Sequence, residues 1–130
     1  MTKFNLLLII IFISSSIYSQ VEKNVEINID NLSKKWEMVD LINSKKTAEE
    51  LDEIKSMLEG TYIEFRNDST FTFGFVFDLE GHWELKENVI YTKDRRGENK
   101  WTIYTLEKEK LIASRNEATQ KIIFKSINKI

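Results

Sequence analysis

From residue 61 onward the chain falls into short apolar-rich runs, at 61–66, 70–77, 82–85, 89–92, 100–106, 110–115 and 119–127. Polar, turn-forming segments separate them at intervals of about ten residues, the spacing of antiparallel strands. Links as short as 67–69, 86–88 and 107–109 leave room only for hairpins between neighbours. One more strand is expected upstream at 34–43, where Trp36, Met38, Val39, Leu41 and Ile42 are mixed with polar residues. Between this strand and the seven that follow, Thr47-Ala48-Glu49-Glu50 forms a capping box. Apolar residues then recur at Leu51, Ile54, Met57 and Leu58, and Gly60 offers a left-handed stop, which together predict a helix. Its apolar stripe is narrow, so it should lie outside a sheet or over the end of a barrel. Eight strands in up-and-down order are best relieved of their open edges by closing on themselves. The expectation is therefore a mainly β fold, an eight-stranded antiparallel up-and-down barrel with one helix between the first and second strands. Ahead of it, residues 21–31 read as an extended arm in which Val21, Val25, Ile27 and Ile29 share one buried face.

Strand alternation assigns the faces. Phe71, Phe73, Phe75 and Phe77 fall on one face of the run 70–77, and Thr70, Thr72, Gly74 and Val76 on the other. The ring face must be interior, with Ile63 and Phe65, Trp83 and Leu85, Val89 and Tyr91, Trp101 and Ile103, and Phe124 as inward companions. Gly74 reads as a relief of strand curvature. Rings of this size either fill a small barrel or line a pocket inside it, and filling is the commoner role for any single Phe. If there is a pocket, the residues expected to touch its ligand are Phe73, Phe75, Trp83 and Trp101. The ligand should be apolar or aromatic, since no charge appears among the inward positions named.

The first twenty residues stand apart. Lys3 precedes an apolar run at 6–13 and then a Ser-rich stretch, the three-part pattern of a secretory signal peptide over residues 1–20. The run is well short of the roughly 18 apolar residues a membrane span needs. Export to the periplasm or the medium is expected, with no stable membrane anchor, and the chain has no Cys to carry a bacterial lipid. The remainder, with 42% hydrophobic and 31% charged residues in the whole chain and no Pro, suits one domain over residues 32–130. The chain's net charge is −2, and losing the leader removes Lys3 and no acid, so nucleic acid is a poor partner.

Catalytic patterns are scarce. The single His82 lies between Gly81 and Trp83, where the alternation that turns Trp83 inward turns His82 outward. One His and no thiol do not make a usual zinc sphere, and no cofactor or metal is expected. Glu64 and Glu84 alternate outward beside Phe65 and Trp83, which suits solvated strand faces better than a carboxylate pair for glycoside hydrolysis.

Several segments, in order, carry a family likeness. They are Trp36, Tyr62-Ile63-Glu64-Phe65, Asp68-Ser69-Thr70-Phe71-Thr72-Phe73, Gly81-His82-Trp83-Glu84-Leu85, Trp101-Thr102-Ile103 and Ile122-Ile123-Phe124-Lys125. Over about residues 32–127 the chain resembles the small exported lipocalin-like domains of Bacteroidota. The resemblance implies a calycin-type barrel, no enzymatic activity and a site for a small apolar ligand inside. The alternative is a filled barrel whose outer surface binds another protein, as an inhibitor, an immunity protein or an envelope-assembly subunit. Expressed with its own leader, the chain should appear outside the cytoplasm with an N-terminus near Gln20 or Val21 and no lipid label. N-terminal sequencing of the exported protein checks this, and a mature chain that begins at Met1 contradicts it.

Overall fold

The computed structural model describes residues 24–127, so the expected leader and Val21 lie outside the described residues. A one-turn helix, α1 (Ile29–Leu32), precedes β1 (Lys35–Ile42), and α2 (Ala48–Met57) links β1 to β2 (Tyr62–Phe65). The remaining strands are β3 (Thr70–Phe75), β4 (Phe77–Lys86), β5 (Val89–Asp94), β6 (Gly97–Leu106), β7 (Lys110–Arg115) and β8 (Lys121–Ser126). Each strand pairs antiparallel with the next, and β1 pairs with β8 from Trp36↔Ser126 to Ile42↔Lys121, closing the barrel. The expected fold is the observed one, in strand number, order and the position of the helix.

α2 begins as its sequence dictates. The Thr47 hydroxyl accepts from the Glu50 amide at 3.1 Å and the Glu50 carboxylate accepts from the Thr47 amide at 3.0 Å. That second bond is the main reason the Glu50 carboxyl sits below its ordinary range. Leu51, Ile54 and Leu58 pack against the core, while Met57 is 72% exposed. Lys55 reaches Asp40 of β1 at 3.4 Å.

The structure departs from the sequence pattern at several points. The run 70–77 is two strands: Phe75 and Phe77 face each other across a hairpin whose tip is Val76 alone, at φ +63°. Residues 78–81 form no break, because Asp78 and Glu80 are outward ladder positions of a longer β4. On β5 the inward residues are Ile90 and Thr92, not Val89 and Tyr91. The two-residue turn Glu87-Asn88 sets Leu85 opposite Ile90, and Tyr91 is left 42% exposed on the outer face under Lys86. Ile29 is also not on a buried face. Asn28 accepts from the Asn31 amide and starts α1, which exposes Ile29 and fully buries Leu32. Two register shifts, between Met38 and Asp40 and between Ile103 and Thr105, add one residue each at Val39 and Tyr104. These bulges let Met38 and Leu41, and Ile103 and Leu106, all reach the interior despite their odd spacing.

The connectivity gives the barrel two unlike ends. At the base lie the arm, α1 and the turns after β2, β4 and β6. Trp36 plugs this end, fully buried, and its indole N–H donates to the Leu32 carbonyl at 3.0 Å. Trp83 packs against Phe65 with ring centroids 4.8 Å apart and planes tilted by 47°, and donates to the Arg66 carbonyl at 2.8 Å. The Val25 amide donates to the Leu106 carbonyl at 2.9 Å and fastens the arm. The other end, the mouth, carries α2 and the hairpin tips after β3, β5 and β7.

Gly81 is needed for space, not for a turn. A Cβ there would lie 2.0 Å from the Lys93 carbonyl oxygen and 2.8 Å from the Phe71 ring. Gly81→Val should therefore disrupt the β4–β5 ladder. Trp83→Ala empties a buried ring site and should destabilise by about 3–5 kcal/mol, whereas Glu84→Ala on the outer face should change stability by under about 0.5 kcal/mol. Chemical denaturation of the three variants checks the assignment, and an effect of Glu84→Ala equal to that of Trp83→Ala would reverse the faces.

Candidate functional site

The four rings singled out from the sequence do not form one cluster. Phe73 and Trp101 come together, with ring centroids 6.2 Å apart, and Trp101 meets Phe124 edge-on at 6.1 Å. Trp83 belongs to a separate, tilted pair with Phe65 toward the base. Phe75 stands at the mouth, 40% exposed, with Phe77 beside it at 42%. The interior is thus graded. Trp36, Phe65, Phe71 and Trp83 are buried at 4% exposure or less, Phe73 is half-buried, and the rings nearest the mouth are open to solvent.

The expected absence of inward charge is overturned. Leu111, Ala113 and Arg115 alternate along β7, and Arg115 stands opposite Trp101 in the β6–β7 ladder, so it shares the interior face. Its guanidinium carbon lies 5.5 Å from the Phe73 ring centroid and 5.7 Å from that of Trp101. Such placement over an aromatic face is attractive, by about 0.5–1 kcal/mol where solvent reaches it. The two-residue period of a strand, followed from Leu111 through Ala113, leads to Arg115. Thr92, 3% exposed, and Asp94 also fall on the interior face of β5 by alternation. At the β5–β6 tip, Arg96 lies 4.5 Å and Arg95 5.9 Å from the Phe77 ring.

A second feature lies just outside the mouth. Met57, Gly60, Tyr62, Phe75, Val76 and Phe77 line part of a groove of about 330 Å³ between the end of α2 and the β3–β4 tip. Gly74 belongs to it for a reason other than curvature. The Tyr62 ring lies flat across β3, and a Cβ on Gly74 would come within 2.0 Å of that ring. The Tyr62 hydroxyl donates to Asp78 at 3.0 Å, and the Lys35 ammonium sits 4.1 Å from the ring centroid. His82 is exposed on the outer face with Glu84, beside Trp83 and Tyr91, and no group of three or more His, Asp or Glu side chains suited to a metal occurs among the described residues. Glu64 is held by Arg66 at 3.3 Å. No helix among the described residues is long and apolar enough to cross a membrane.

Comparison with known proteins gives a fold and no more. No protein-family model matches the chain, and no curated protein matches it. Among solved structures it is similar to a lipocalin-like protein from Bacteroides uniformis ATCC 8492. The TM-score is 0.58 at 14% sequence identity, over 75% of this chain and 99% of that one. The closed eight-stranded antiparallel barrel is therefore a lipocalin-like fold.

Burial, and then the hydrogen bond to Asp78, push the Tyr62 hydroxyl above the ordinary tyrosine range. The folded state thus favours the protonated phenol. Its contribution is complete below the ordinary pKa of about 10 and is lost as pH rises through the higher folded value. An ultraviolet titration should show one tyrosine ionising late, and Tyr62→Phe should remove that phase.

Proposed function

We propose that this chain is an exported, non-enzymatic lipocalin-like protein of the Bacteroidota type that binds a small apolar ligand through the mouth of its barrel. The observation that carries this reading is the unequal treatment of the two ends. The base is sealed by Trp36 and Leu32, both fully buried, whereas Phe73, Phe75 and Phe77 at the other end are left part-exposed on the ring-bearing face. Rings left wet at one end of an otherwise dry interior are what an apolar ligand would cover. Export is supported by the leader pattern of residues 1–20, and the family type by the likeness to the Bacteroides uniformis protein.

Within this reading the contact set is Phe73, Phe75 and Trp101, with Phe77 added. Trp83 supports the base and does not touch the ligand. A second reading, a surface for another protein, is favoured by one feature. Met57 at 72% exposure, Val76 at 91% and the two Phe rings make an apolar rim around the groove at the α2 end.

Titration of an environment-sensitive apolar dye, followed by Trp fluorescence, separates the two readings. Saturable binding that Phe75→Ala weakens by about threefold to tenfold is expected, from loss of buried ring area at about 25 cal/mol per Å². A folded protein that binds no dye would move the working surface to the outside of the barrel.

A further inference from the structure

The hairpin between β3 and β4 ends in three consecutive apolar residues that the barrel does not cover. Val76, alone at the tip, is 91% exposed, and Phe75 and Phe77 beside it are 40% and 42% exposed. Across the groove Met57 stands at 72%. Val76 also holds φ +63°, a left-handed conformation that strains a β-branched side chain and that Asp or Asn adopts more readily. No packing offsets that strain at a site so exposed, so the stability of the fold gives no reason for Val there. Directly beside this tip lie two cations. Arg96 and Arg95 place their guanidinium carbons 4.5 and 5.9 Å from the Phe77 ring centroid, and among the described residues neither makes an ion pair with a carboxylate. Two acids of this end, Glu59 and Asp78, line the groove, which neither arginine does, and Asp78 accepts from the Tyr62 hydroxyl.

We propose that the β3–β4 tip, with Met57, docks reversibly on an anionic lipid surface, where Phe75, Val76 and Phe77 enter the bilayer interface and Arg95 and Arg96 meet the lipid phosphates. Shape and charge both favour this occupant. A one-residue hairpin tip is convex, and a convex apolar point suits a phase that yields around it, whereas a protein partner would need a preformed pit of the same form. Guanidinium groups resting on an apolar ring stand where headgroups begin once that ring is buried at the acyl boundary, and there they pair with phosphate. The chain's net charge is −2, so the two arginines are a local feature and not part of a general basic surface. The contact is one-sided. Glu49, Glu50, Asp52 and Glu53 occupy the first half of α2 and Met57 its end, so the helix docks by the end that carries Met57. Four side chains make a reversible contact and not an anchor. The inference goes beyond the ligand reading, since Val76 and Met57 lie outside its contact set and no molecule in the barrel is required.

Because the chain has no Cys, Val76→Cys gives a single thiol for an environment-sensitive fluorophore, and Glu109→Cys, in the turn after β6 at the base, gives the control. Both labelled proteins are mixed at low salt with vesicles of phosphatidylcholine alone or with about one-third phosphatidylglycerol, with and without a quencher on the acyl chain. The label at position 76 should shift to the blue and be quenched, and the label at position 109 should not. A basic side chain near an anionic leaflet is worth about fivefold in partitioning, so the mixed vesicles should bind about ten- to thirtyfold more tightly. Arg95→Gln combined with Arg96→Gln should reduce that preference to about threefold or less, and added salt should do the same. Val76→Asp suits the left-handed tip better than Val and so should fold, yet it should weaken binding to both kinds of vesicle by about tenfold or more. The arm joins the barrel at the base, so a leader left on the chain would bring position 109 to the lipid and not the tip. An unmodified protein that binds neither kind of vesicle overturns the proposal and returns the exposed rim to the protein-surface reading. Binding that leaves position 76 in water, or that Val76→Asp does not weaken, overturns it as well. A preference for phosphatidylglycerol that is absent, or that survives the double arginine change, overturns the role of Arg95 and Arg96. Dye binding at the mouth is measured without vesicles, so failure of the ligand reading and failure of this one are seen separately.

Discussion

The ladder between β1 and β8 is the contact on which everything else depends. Its pairs, Trp36↔Ser126 through Ile42↔Lys121, join the first strand to the last, so closure waits on the longest sequence separation in the sheet. Without it the chain would be an open meander with two unpaired edges and a ring-lined face exposed to water. With it, the side chains of eight strands must share one interior, and the chain has no disulfide to help hold them there. Packing of the core therefore carries the stability. Trp36 does two jobs in that arrangement, since it belongs to the closing ladder and also ties α1 across the base through Leu32.

Much of this was legible in the sequence because the barrel obeys simple local rules over most of its length. Two-residue alternation placed Ile63, Phe65, Phe71, Trp83, Trp101, Ile103 and Phe124 inward, and all are buried. The capping box at Thr47 and Glu50 located the start of α2. The failures fall where the alternation is reset. Val39 and Tyr104 are extra residues in bulges, and no local pattern announces a bulge. Val76 carries a one-residue hairpin in a left-handed conformation that a β-branched side chain rarely adopts, so nothing in Phe75-Val76-Phe77 signalled a turn. Glu87-Asn88 set the register of β5, and a one-position error there exchanged Ile90 and Thr92 for Val89 and Tyr91.

The candidate site was legible in kind more than in arrangement. The sequence supplied the rings, but which rings meet depends on strand stagger around the barrel, a long-range property. Phe73 and Trp101 meet, Trp83 is drawn away by Phe65 and by its bond to the Arg66 carbonyl, and Phe75 is carried to the rim. Gly74 shows the same limit. Its role is set by Tyr62 on a neighbouring strand, and only the folded ladder reveals that the ring needs the missing Cβ.

The two indole N–H bonds at the base give the molecule an uneven mechanical character. Trp36 to Leu32 and Trp83 to Arg66 tie buried side chains to backbone on separate elements, and no Trp makes such a tie at the mouth among the described residues. Local opening should therefore have its lowest free energy at the hairpin tips around Val76, Arg95 and Glu117, while amides near the base exchange with solvent only on global unfolding. The barrel is fastened most firmly at one rim, by bonds that lie away from the part-exposed Phe75 and Phe77 rings at the other.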